Sequence, residues 1–393
     1  LWGTPPLVDR VLKNSEEYKV PNSTAEQLWK FMETDLTEAI TSGKLTSKTS
    51  LEDRDGGTRA TLEAARCLLG KIYLYQEKYA DAKSELEKVI SSGKYDLIAD
   101  VSTFYHPASA GCKEYVLECV RHYDPSNMYS QEGWFGILAN WGFGYGFIAG
   151  PEASMHYKFN TTSGYSYFNP SKSLYDAFVA EEGADGYRLN AWIRTWEQVI
   201  AMNIAVNTTT NKYASEGYFR LKWLASTDDE FVGYWCGNQS NTPVIRYADV
   251  LLMAAEACLQ AGDQAGADEY LGRVRDRARL PRKSHVTLSD IKLERRLELA
   301  MEGMRFQDLK RWGDAPAVLA DKGKKLPTFQ IVPDPNNDLT TAAGIYNARY
   351  TTKTTYVDNE KSLAGWTPNR DEWLPFPENE LEVNSNLKQN PGY

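Results

Sequence analysis

The chain has 393 residues, 42% of them hydrophobic, so it can bury the core of one large domain or of two or three smaller ones. Its formal net charge is -9, from 44 basic and 53 acidic residues, and no run of Lys or Arg is long enough to grip a phosphate backbone. These properties argue against a disordered chain and exclude nucleic acid as an expected partner.

No stretch approaches the roughly 20 consecutive apolar residues that span a bilayer, and no secretory leader is recognisable. Because the chain begins with Leu1, we expect that a leader was removed or that the sequence belongs to a longer protein. The four histidines lack HxxxH spacing and the five cysteines lack CxxC spacing, so we expect no transition metal and no cofactor. Most cysteines, including Cys67 and Cys258, are interpreted as buried hydrophobes, and pairing of Cys112 with Cys119 stays open.

Residues 23–42 predict the first amphipathic helix. Ser23 and Glu26 have the spacing of a capping box. Apolar residues then recur every four positions, which places them on one face of the helix: Leu28, Met32, Leu36 and Ile40.

Residues 61–92 predict two helices separated near Glu77 and Lys78. Their pattern is typical of a tetratricopeptide repeat, in which a small residue, Gly70, lets the two helices approach and Ala82 admits the next helix. The segment therefore predicts a helical hairpin.

Residues 129–168 are unusually aromatic, with twelve aromatic side chains in forty positions against 12% in the whole chain. Seven glycines interrupt them, which predicts long ordered loops. Aromatic faces pack on the C–H groups of sugar rings, and amides bind sugar hydroxyls. Each ring alone could equally fill a loop core, but the cluster favours a binding face. The candidate ligand residues here are Trp134, Asn140, Trp141, Tyr145, Tyr165 and Tyr167.

Among the tryptophans that follow this segment, three are considered as ligand candidates. Trp192 and Trp196 are four residues apart in a predicted helix, and core packing is the preferred interpretation for both. Trp235 lies in a predicted loop before a Cys–Gly–Asn run, so it is added to the ligand candidates.

The C-terminal half predicts a second hairpin over 247–281, since Ala255 and Ala267 have the same 12-residue separation as the small residues of the first hairpin. A helical stretch over 288–312 would supply the third neighbour that repeat stacking needs. Residues 325–393 show no helical period and predict an irregular wrap around the helical body.

Glu294, Glu298 and Glu302 form a carboxylate stripe on the predicted helix, and paired carboxylates are what a glycoside hydrolase requires. The preferred interpretation is a network of ionised pairs, because basic side chains and one further carboxylate are interleaved with the stripe. These are Arg295, Arg296, Arg305, Asp308 and Arg311.

Other chemical motifs are missing or incomplete. The sequence has no GxSxG, Walker or strand-linked GxGxxG motif, and the GFGYGF run at 142–147 lacks the flanking elements of a phosphate site. Asp334, Asn336 and Asp338 resemble half of a calcium loop, but Leu339 replaces the required Gly and no Glu closes the loop. No metal site is therefore expected.

Several motifs together resemble the SusD/RagB family of nutrient-binding surface lipoproteins of Bacteroidetes. They are VIRYADVLLMAAEA (244–257), RVRDRARLP (273–281), ERRLELAMEGMRFQDLKRWG (294–313), LPFPENELEVNSNLKQNPGY (374–393), LWGTPPLVD (1–9) and EGADGYRLNAWIRT (182–195). The resemblance covers nearly the whole chain but not the aromatic loops at 129–168. LWGTPPLVD resembles an internal family segment, so the resemblance implies that an N-terminal helical part and a lipidated cysteine precede it.

The resemblance implies a mainly α, SusD-like fold over residues 1–393, as a single domain that lacks its N-terminal part. Residues 23–92 and 247–313 would form the tetratricopeptide-like scaffold, residues 129–243 the variable aromatic loop region, and residues 325–393 the irregular wrap.

The resemblance also implies a non-catalytic, lipid-anchored outer-membrane protein that captures an oligosaccharide for a TonB-dependent SusC-like transporter. Three alternatives stay open. They are a RagB-like protein that binds oligopeptides, a glycoside hydrolase that uses the Glu stripe, and a protein-interaction scaffold that binds no small ligand.

Overall fold

The fold is mainly helical in the part of the chain that the structure, a computed structural model, describes. The described residues are 1–120, 169–195, 197–198, 212–213, 215–222, 241–338, 340–341, 344, 349–360 and 364–393. Their helices are α1 (Ala25–Thr41), α2 (Leu62–Tyr75), α3 (Tyr79–Ile90), α4 (Lys172–Glu182), α5 (Tyr187–Trp192), α6 (Tyr247–Gln260), α7 (Gln264–Arg277), α8 (Leu288–Glu298), α9 (Arg305–Arg311), α10 (Ala315–Val318) and α11 (Glu378–Val383).

Helix α1 confirms the first predicted helix, with a different N-terminus. The N-cap is Thr24, whose side chain accepts from the backbone N–H of Gln27 while the Gln27 side chain accepts from the N–H of Thr24. The predicted capping box of Ser23 and Glu26 is therefore wrong by one residue. The Ser23 hydroxyl instead accepts from the N–H of Leu7, which ties the helix to the N-terminal stretch.

Helices α2 and α3 form the predicted hairpin, with the turn at Glu77, which has φ +60°. A Cβ placed on Gly70 would lie 2.8 Å from Cγ of Leu86 and 3.0 Å from its Cδ2. Leu86 and Ala82 are fully buried, so the neighbouring helix has little room to move away. The glycine is therefore what lets these two helices touch.

Gly70→Ala is expected to lower the free energy of unfolding by about 1 kcal/mol. The steric cost of an added core methyl, roughly 1–3 kcal/mol, outweighs the roughly 1 kcal/mol that Ala gains over Gly inside a helix. Urea unfolding measures this loss. In a Leu86→Ala background the clashing atoms are absent, so the same substitution should be neutral or stabilising there. An equal loss in both backgrounds would contradict the close contact.

Helices α6 and α7 form the second predicted hairpin, and α3 and α8 both pack against α6. Helix α6 lies at the centre of the helical body, since its residues from Tyr247 to Cys258 are all buried. The shared apolar core contains side chains of α2, α3, α6 and α7, among them Leu74, Leu86, Leu251 and Leu271. The two hairpins and α8 thus build one continuous helical scaffold.

The helix predicted over residues 288–312 is interrupted. Helix α8 ends at Glu298 and α9 begins at Arg305, and between them Met301 and Gly303 have φ values of +65° and +78°. The carbonyl oxygens at the end of α8 bind buried cationic side chains, as described below, and not the amides of a further helical turn. The break is therefore fixed by tertiary contacts that lie far away in the sequence.

The strands of the described residues form three small sheets. Strand β1 (Tyr115–Cys119) pairs with β5 (Thr242–Arg246), β2 (Ile193–Thr195) pairs with β4 (Tyr218–Arg220), and the third sheet contains β3 (Lys212–Tyr213), β6 (Lys325–Pro333) and β7 (Tyr350–Asp358). All pairs are antiparallel. Together with α4 and α5, strands β2, β3 and β4 show that the region assigned to variable loops, 129–243, also contains regular structure.

The irregular wrap predicted for residues 325–393 is wrong for its first part. Strands β6 and β7 pair over nine residues each, from Lys325 opposite Asp358 to Pro333 opposite Tyr350. The run TTKTTYV in β7 is rich in β-branched residues, which favour strands. That signal was present in the sequence and outweighs the Pro and Asn content of the neighbouring stretches.

The last residues of the chain do wrap onto the first ones, through asparagine side chains. Asn22 donates to the carbonyl of Lys388 at 3.0 Å and to that of Thr4 at 3.1 Å. Asn384 donates to the carbonyl of Val20 at 2.7 Å. These amides satisfy backbone groups of segments that have no regular hydrogen-bond ladder of their own.

A second apolar core lies beside the scaffold and joins α4, α5, β1 and the end of α8. It contains the aromatic side chains Phe104, Tyr105, Tyr115, Phe178 and Trp192. The burial of Trp192 confirms the core interpretation of this residue, whereas Trp196 lies outside the described residues. None of the described helices combines the length and the apolar character needed to cross a bilayer.

Candidate functional site

The residues predicted to contact a ligand lie outside the described part of the chain. Trp134, Asn140, Trp141, Tyr145, Tyr165 and Tyr167 belong to residues 121–168, and Trp235 belongs to residues 223–240. Their role therefore stays a prediction. The structure does describe the strands to which both segments are joined, and the side chains that hold those strands.

The antiparallel ribbon of β1 and β5 is joined to both of these segments. Strand β1 runs into residues 121–168 and strand β5 follows residues 223–240, and Cys119 lies opposite Thr242 in the ribbon. Because the strands are antiparallel, the start of one segment and the end of the other adjoin the same end of the ribbon. The two predicted parts of the ligand site are thus joined to neighbouring positions of the fold.

Glu118 of β1 binds groups next to this end of the ribbon. Its carboxylate accepts from the backbone N–H of Gly111 and from the side-chain amide of Asn241, both at 2.9 Å. Burial raises the pKa of Glu118, and the hydrogen bonds from Asn241 and Gly111 offset part of that rise. The carboxylate therefore links β1, β5 and the preceding loop at the point where the segments begin.

Strand β4 leads to the other end of residues 223–240. It pairs with β2, with Ile193 opposite Arg220, and Lys222 follows as the last described residue before the segment. Lys222 is fully buried, and its Nζ lies 3.8 Å from the centre of the Trp192 ring. Residues 223–240 are thus joined at one end to β4, through Lys222, and at the other end to β5.

Arg246 of β5 and Lys222, which follows β4, belong to what we call the central ionic cluster, in which five basic and five acidic side chains are joined by salt bridges in a largely buried position. Its members are Glu114, Glu182, Arg188, Lys222, Arg246, Arg275, Arg277, Glu294, Glu298 and Glu302. Arg275 also binds Glu181, at 2.6 Å on the edge of the cluster. Pairing of opposite charges makes such burial tolerable, because an unpaired ion would cost several kcal/mol.

Glu298 lies at the centre of this cluster and contacts three arginines. Its Oε2 accepts from Arg188 at 2.9 Å, and its Oε1 accepts from Arg246 at 3.1 Å and also from Arg277. Burial alone would raise the pKa of Glu298, but the charges of Arg277, Arg246 and Arg188 outweigh it and hold the pKa well below its usual value. Glu298 therefore stays ionised and cannot serve as a proton donor near neutral pH.

Glu302 binds the side chains that flank residues 223–245. Its Oε1 accepts from Lys222 at 2.5 Å and from Arg246 at 2.7 Å, and its Oε2 accepts from Nε of Arg246 at 2.8 Å. Burial lowers the pKa of Lys222 to about 8, partly opposed by Glu302. Burial raises the pKa of Glu302, but Arg246 and Lys222 outweigh it and lower the pKa overall.

The same cations cap the end of α8. Lys222 donates to the carbonyls of Glu298 and Ala300 at 3.0 and 3.1 Å, and Arg246 donates to the carbonyl of Glu298 at 3.1 Å. A helix end leaves carbonyl groups without intrahelical partners, and cations near it also complement the helix dipole. These contacts explain why the helix stops where it does.

A second group of buried charges, which we call the scaffold ionic cluster, joins α6, α8 and α9. Arg295 donates to Asp249 at 2.8 Å and to Asp308 at 2.9 Å, and Arg311 donates to Asp308 at 2.9 Å and to Glu256 at 2.7 Å. The two clusters lie on different faces of α8. Glu294 and Glu298 belong to the central ionic cluster, and Arg295 belongs to the scaffold ionic cluster.

The carboxylate stripe is an ion-pair network, as predicted, but its partners differ from the prediction. The side chains that bind the stripe are Arg188, Lys222, Arg246, Arg275 and Arg277, all from other elements. Of the interleaved residues, Arg295, Asp308 and Arg311 belong to the scaffold ionic cluster, and Arg296 binds Ser173.

Most of the missed partners were visible in the sequence, within the segments that carry the family resemblance. Arg275 and Arg277 lie in RVRDRARLP, Arg188 in EGADGYRLNAWIRT and Arg246 in VIRYADVLLMAAEA. The resemblance thus points to buried ionic residues of the fold. Lys222 lies in none of these motifs, and no sequence signal marks it.

The remaining candidates from the sequence are the cysteines and the incomplete calcium loop. Cys112 and Cys119 are both free, so the open question of their pairing is answered: they form no disulfide. Cys67 and Cys258 are buried, as expected. Of the half calcium loop, Asp338 accepts from the backbone N–H and the hydroxyl of Thr340, and Asp334 accepts from Asn336.

Glu87, Cys258 and Asp263 are the only group in the described ranges with three potential metal ligands close together. Lys83 binds Asp263 at 2.6 Å, and Tyr270 donates to Glu87 at 3.0 Å. Burial raises the pKa of the Cys258 thiol to about 12. A protonated thiol beside a lysine is a poor cation site.

The comparisons with known proteins agree with this architecture. A model of the SusD family matches residues 113–393. The whole chain aligns with 71% of a SusD-like protein of Bacteroides ovatus at 24% identity, and with 70% of SusD-like protein P2 of Formosa agariphila at 25% identity.

Solved structures also resemble the chain. A laminarin-binding SusD-like protein matches with a TM-score of 0.75 and 27% identity, over 100% of this chain and 74% of that one. Surface glycan-binding protein A of Bacteroides thetaiotaomicron matches with a TM-score of 0.71 and 25% identity, over 99% and 74% of the two chains.

Proposed function

Because this chain belongs to the SusD/RagB family, we propose that it is a non-catalytic binding protein that captures an oligosaccharide at the bacterial cell surface. The observation that carries the proposal is the similarity along the whole chain to a laminarin-binding SusD-like protein. The proposal includes a lipid anchor at the outer membrane and delivery of the glycan to a TonB-dependent SusC-like transporter, as the family resemblance implies.

The buried charges support binding without catalysis. A glycoside hydrolase needs one carboxyl with a raised pKa that can donate a proton, and a second carboxylate that can reach the sugar. Glu298 and Glu302 instead have lowered pKa values, and both are occupied by arginine or lysine side chains. The stripe therefore stabilises the fold in this proposal and takes no part in chemistry.

The ligand face in this proposal consists of the aromatic residues predicted from the sequence. Sugar rings stack on indole and phenol faces, and Asn140 supplies an amide for hydroxyl groups. The three tryptophans have the largest apolar surfaces of the set. Trp134 and Trp141 belong to the segment joined to β1, and Trp235 belongs to the segment joined to β5.

Laminarin and a panel of other glycans should bind the wild-type chain in isothermal titration calorimetry, and Trp134→Ala or Trp141→Ala should each weaken binding about tenfold or more. The control is Trp2→Ala, which removes an exposed tryptophan stacked on Phe376 and should leave affinity unchanged.

Wild-type affinity in both loop variants would reject this placement of the site. A screen that retained peptides and no glycan would favour the RagB-like alternative. Turnover of a glycan that Glu298→Gln abolished would reject the non-catalytic proposal.

A further inference from the structure

Residues 223–245 are flanked by two buried cations that meet on one carboxylate. Lys222 precedes this stretch and Arg246 follows it, and both bind the same oxygen, Oε1 of Glu302, at 2.5 and 2.7 Å. Both also bind the carbonyl oxygen of Glu298, at 3.0 and 3.1 Å. Glu302 and the carbonyl of Glu298 therefore connect Lys222 with Arg246, because each accepts hydrogen bonds from both side chains.

The contacts at Lys222 leave its ammonium group little freedom. Its three acceptors are the carbonyls of Glu298 and Ala300 and the carboxylate of Glu302, which can account for all three ammonium protons. The faces of Trp192 and Tyr105 lie 3.8 and 5.8 Å from Nζ. A buried group with this many partners is held in one position.

Arg246 is held equally firmly on the other side. Its guanidinium binds both carboxylate oxygens of Glu302 in a forked arrangement and also binds Glu114 at 2.6 Å. Forked arginine–carboxylate pairs fix orientation as well as distance. Glu302 is thus bound by a rigid group from each flank of the stretch.

The other carboxylates of the stripe do not have this arrangement. Glu294 binds Arg188 at 2.5 Å and Arg275 at 3.1 Å, and neither arginine flanks residues 223–245. Glu298 binds Arg246 through its side chain but meets Lys222 only through its backbone carbonyl. Glu302 is the carboxylate of the stripe whose side chain binds both flanks.

We propose that Glu302 is a positioning residue, which clasps Lys222 and Arg246 and thereby keeps the two stems, residues 215–222 and 241–246, in the arrangement that ligand binding requires. Glu302 itself touches no ligand in this proposal. The inference rests on the proposed function, because residues 223–240 contain the ligand candidate Trp235. Ligands bind more tightly to a site whose supporting residues are held in place before binding.

Backbone amide hydrogen exchange without ligand tests the clasp directly. Glu302→Gln places an amide NH₂ group among cationic donors, so exchange in both stems should become about tenfold faster or more, as expected for loss of a charge-assisted hydrogen bond. Glu294→Gln is the matched control, because it removes a carboxylate of the same stripe that binds neither Lys222 nor Arg246, and it should leave both stems unchanged. Lys222→Met should accelerate amide exchange in residues 215–222 and leave exchange in residues 241–246 unchanged.

Ligand affinity tests the positioning role. Glu302→Gln should bind glycan roughly 3- to 30-fold more weakly than Glu294→Gln, when both are measured at a temperature where each is fully folded. Equal exchange in the stems of the two variants would overturn the clasp, and equal affinity would overturn the positioning role. If the wild type bound no glycan, the proposed function would fail, whereas the exchange result would still decide whether the clasp exists.

Discussion

Glu298→Gln is expected to lower the free energy of unfolding by about 3–5 kcal/mol at pH 7, which is the usual cost of breaking a buried ion pair by removing one partner. The substitution leaves three buried arginines, Arg188, Arg246 and Arg277, without the carboxylate that they share. The amide has nearly the same shape, so the loss reports charge and not packing. Urea unfolding of both proteins measures it.

The same pair of proteins should show a defined pH dependence. The pKa of Glu298 lies below the ordinary value of 4.5 in the folded protein, so its charge stabilises the fold above about pH 4.5. This contribution is lost as the pH falls through the folded-state pKa. The difference in stability between wild type and Glu298→Gln should therefore be largest near neutral pH and shrink steadily below pH 4.5.

An exposed ion pair supplies the control for this prediction. Glu16 binds Lys19 at 2.9 Å, but the Glu16 side chain is 78% exposed, so Glu16→Gln should change stability by less than about 1 kcal/mol. Similar losses for the two substitutions, or a difference that grows in acid, would contradict the role assigned to Glu298.

Trp192→Ala is expected to cost about 3–5 kcal/mol, the range for truncating a large buried aromatic side chain. The indole is 1% exposed, its Nε1–H donates to the carbonyl of Val101 at 3.0 Å, and its ring packs edge to face on Phe178. Its removal also exposes one side of Lys222, whose Nζ lies over the ring. Chemical denaturation followed by circular dichroism measures the loss.

Two variants calibrate this result. Trp192→Phe keeps most of the ring but loses the hydrogen bond to Val101, so it should cost about 1–3 kcal/mol. Trp2→Ala removes a half-exposed ring that stacks on Phe376, which should cost about 1 kcal/mol. If Trp192→Ala were no more harmful than Trp2→Ala, the core position of Trp192 would be wrong.

The helical scaffold could be predicted from the sequence because its signals are local. Gly70 and Ala82 recur at repeat spacing, and the structure shows the reason: the first leaves room for Leu86, and the second is fully buried. The helix break after Glu298 could not be predicted in the same way, because the cations that end the helix come from residues far away in the chain. Periodicity describes one segment at a time and does not detect such contacts.

The buried charges illustrate the same limit. The sequence placed Glu294, Glu298 and Glu302 on one helix and favoured ionised pairs; the structure confirms the ion pairs, but Glu302 lies beyond the end of α8. The partners predicted from the sequence were wrong, because neighbours along the helix were chosen in preference to distant residues such as Arg188. Pairing between elements depends on how helices pack, which a helical pattern alone does not specify.

The ligand residues are a different case. Their prediction depended on aromatic content and on sugar chemistry, and those residues lie outside the described part of the chain, so Trp134, Trp141 and Trp235 stay predictions. The proposed division of the chain into scaffold, loop region and C-terminal wrap also stays a prediction, although strands β6 and β7 replace the irregular structure expected at the start of the wrap. What the structure adds is the position of the junctions and the charges that hold them.

The pairing of Cys119 with Thr242 has a consequence for the design of new specificities. When the two ends of a loop are fixed by the fold, each doubling of its length costs only about 0.6 kcal/mol in closure entropy. Segments exchanged between Cys119 and Asn169, or between Lys222 and Asn241, should therefore be accepted over a wide range of lengths, provided that these four junction residues are kept. Recognition sequences could then be replaced at the ends of the β1–β5 ribbon while the central ionic cluster is left unchanged.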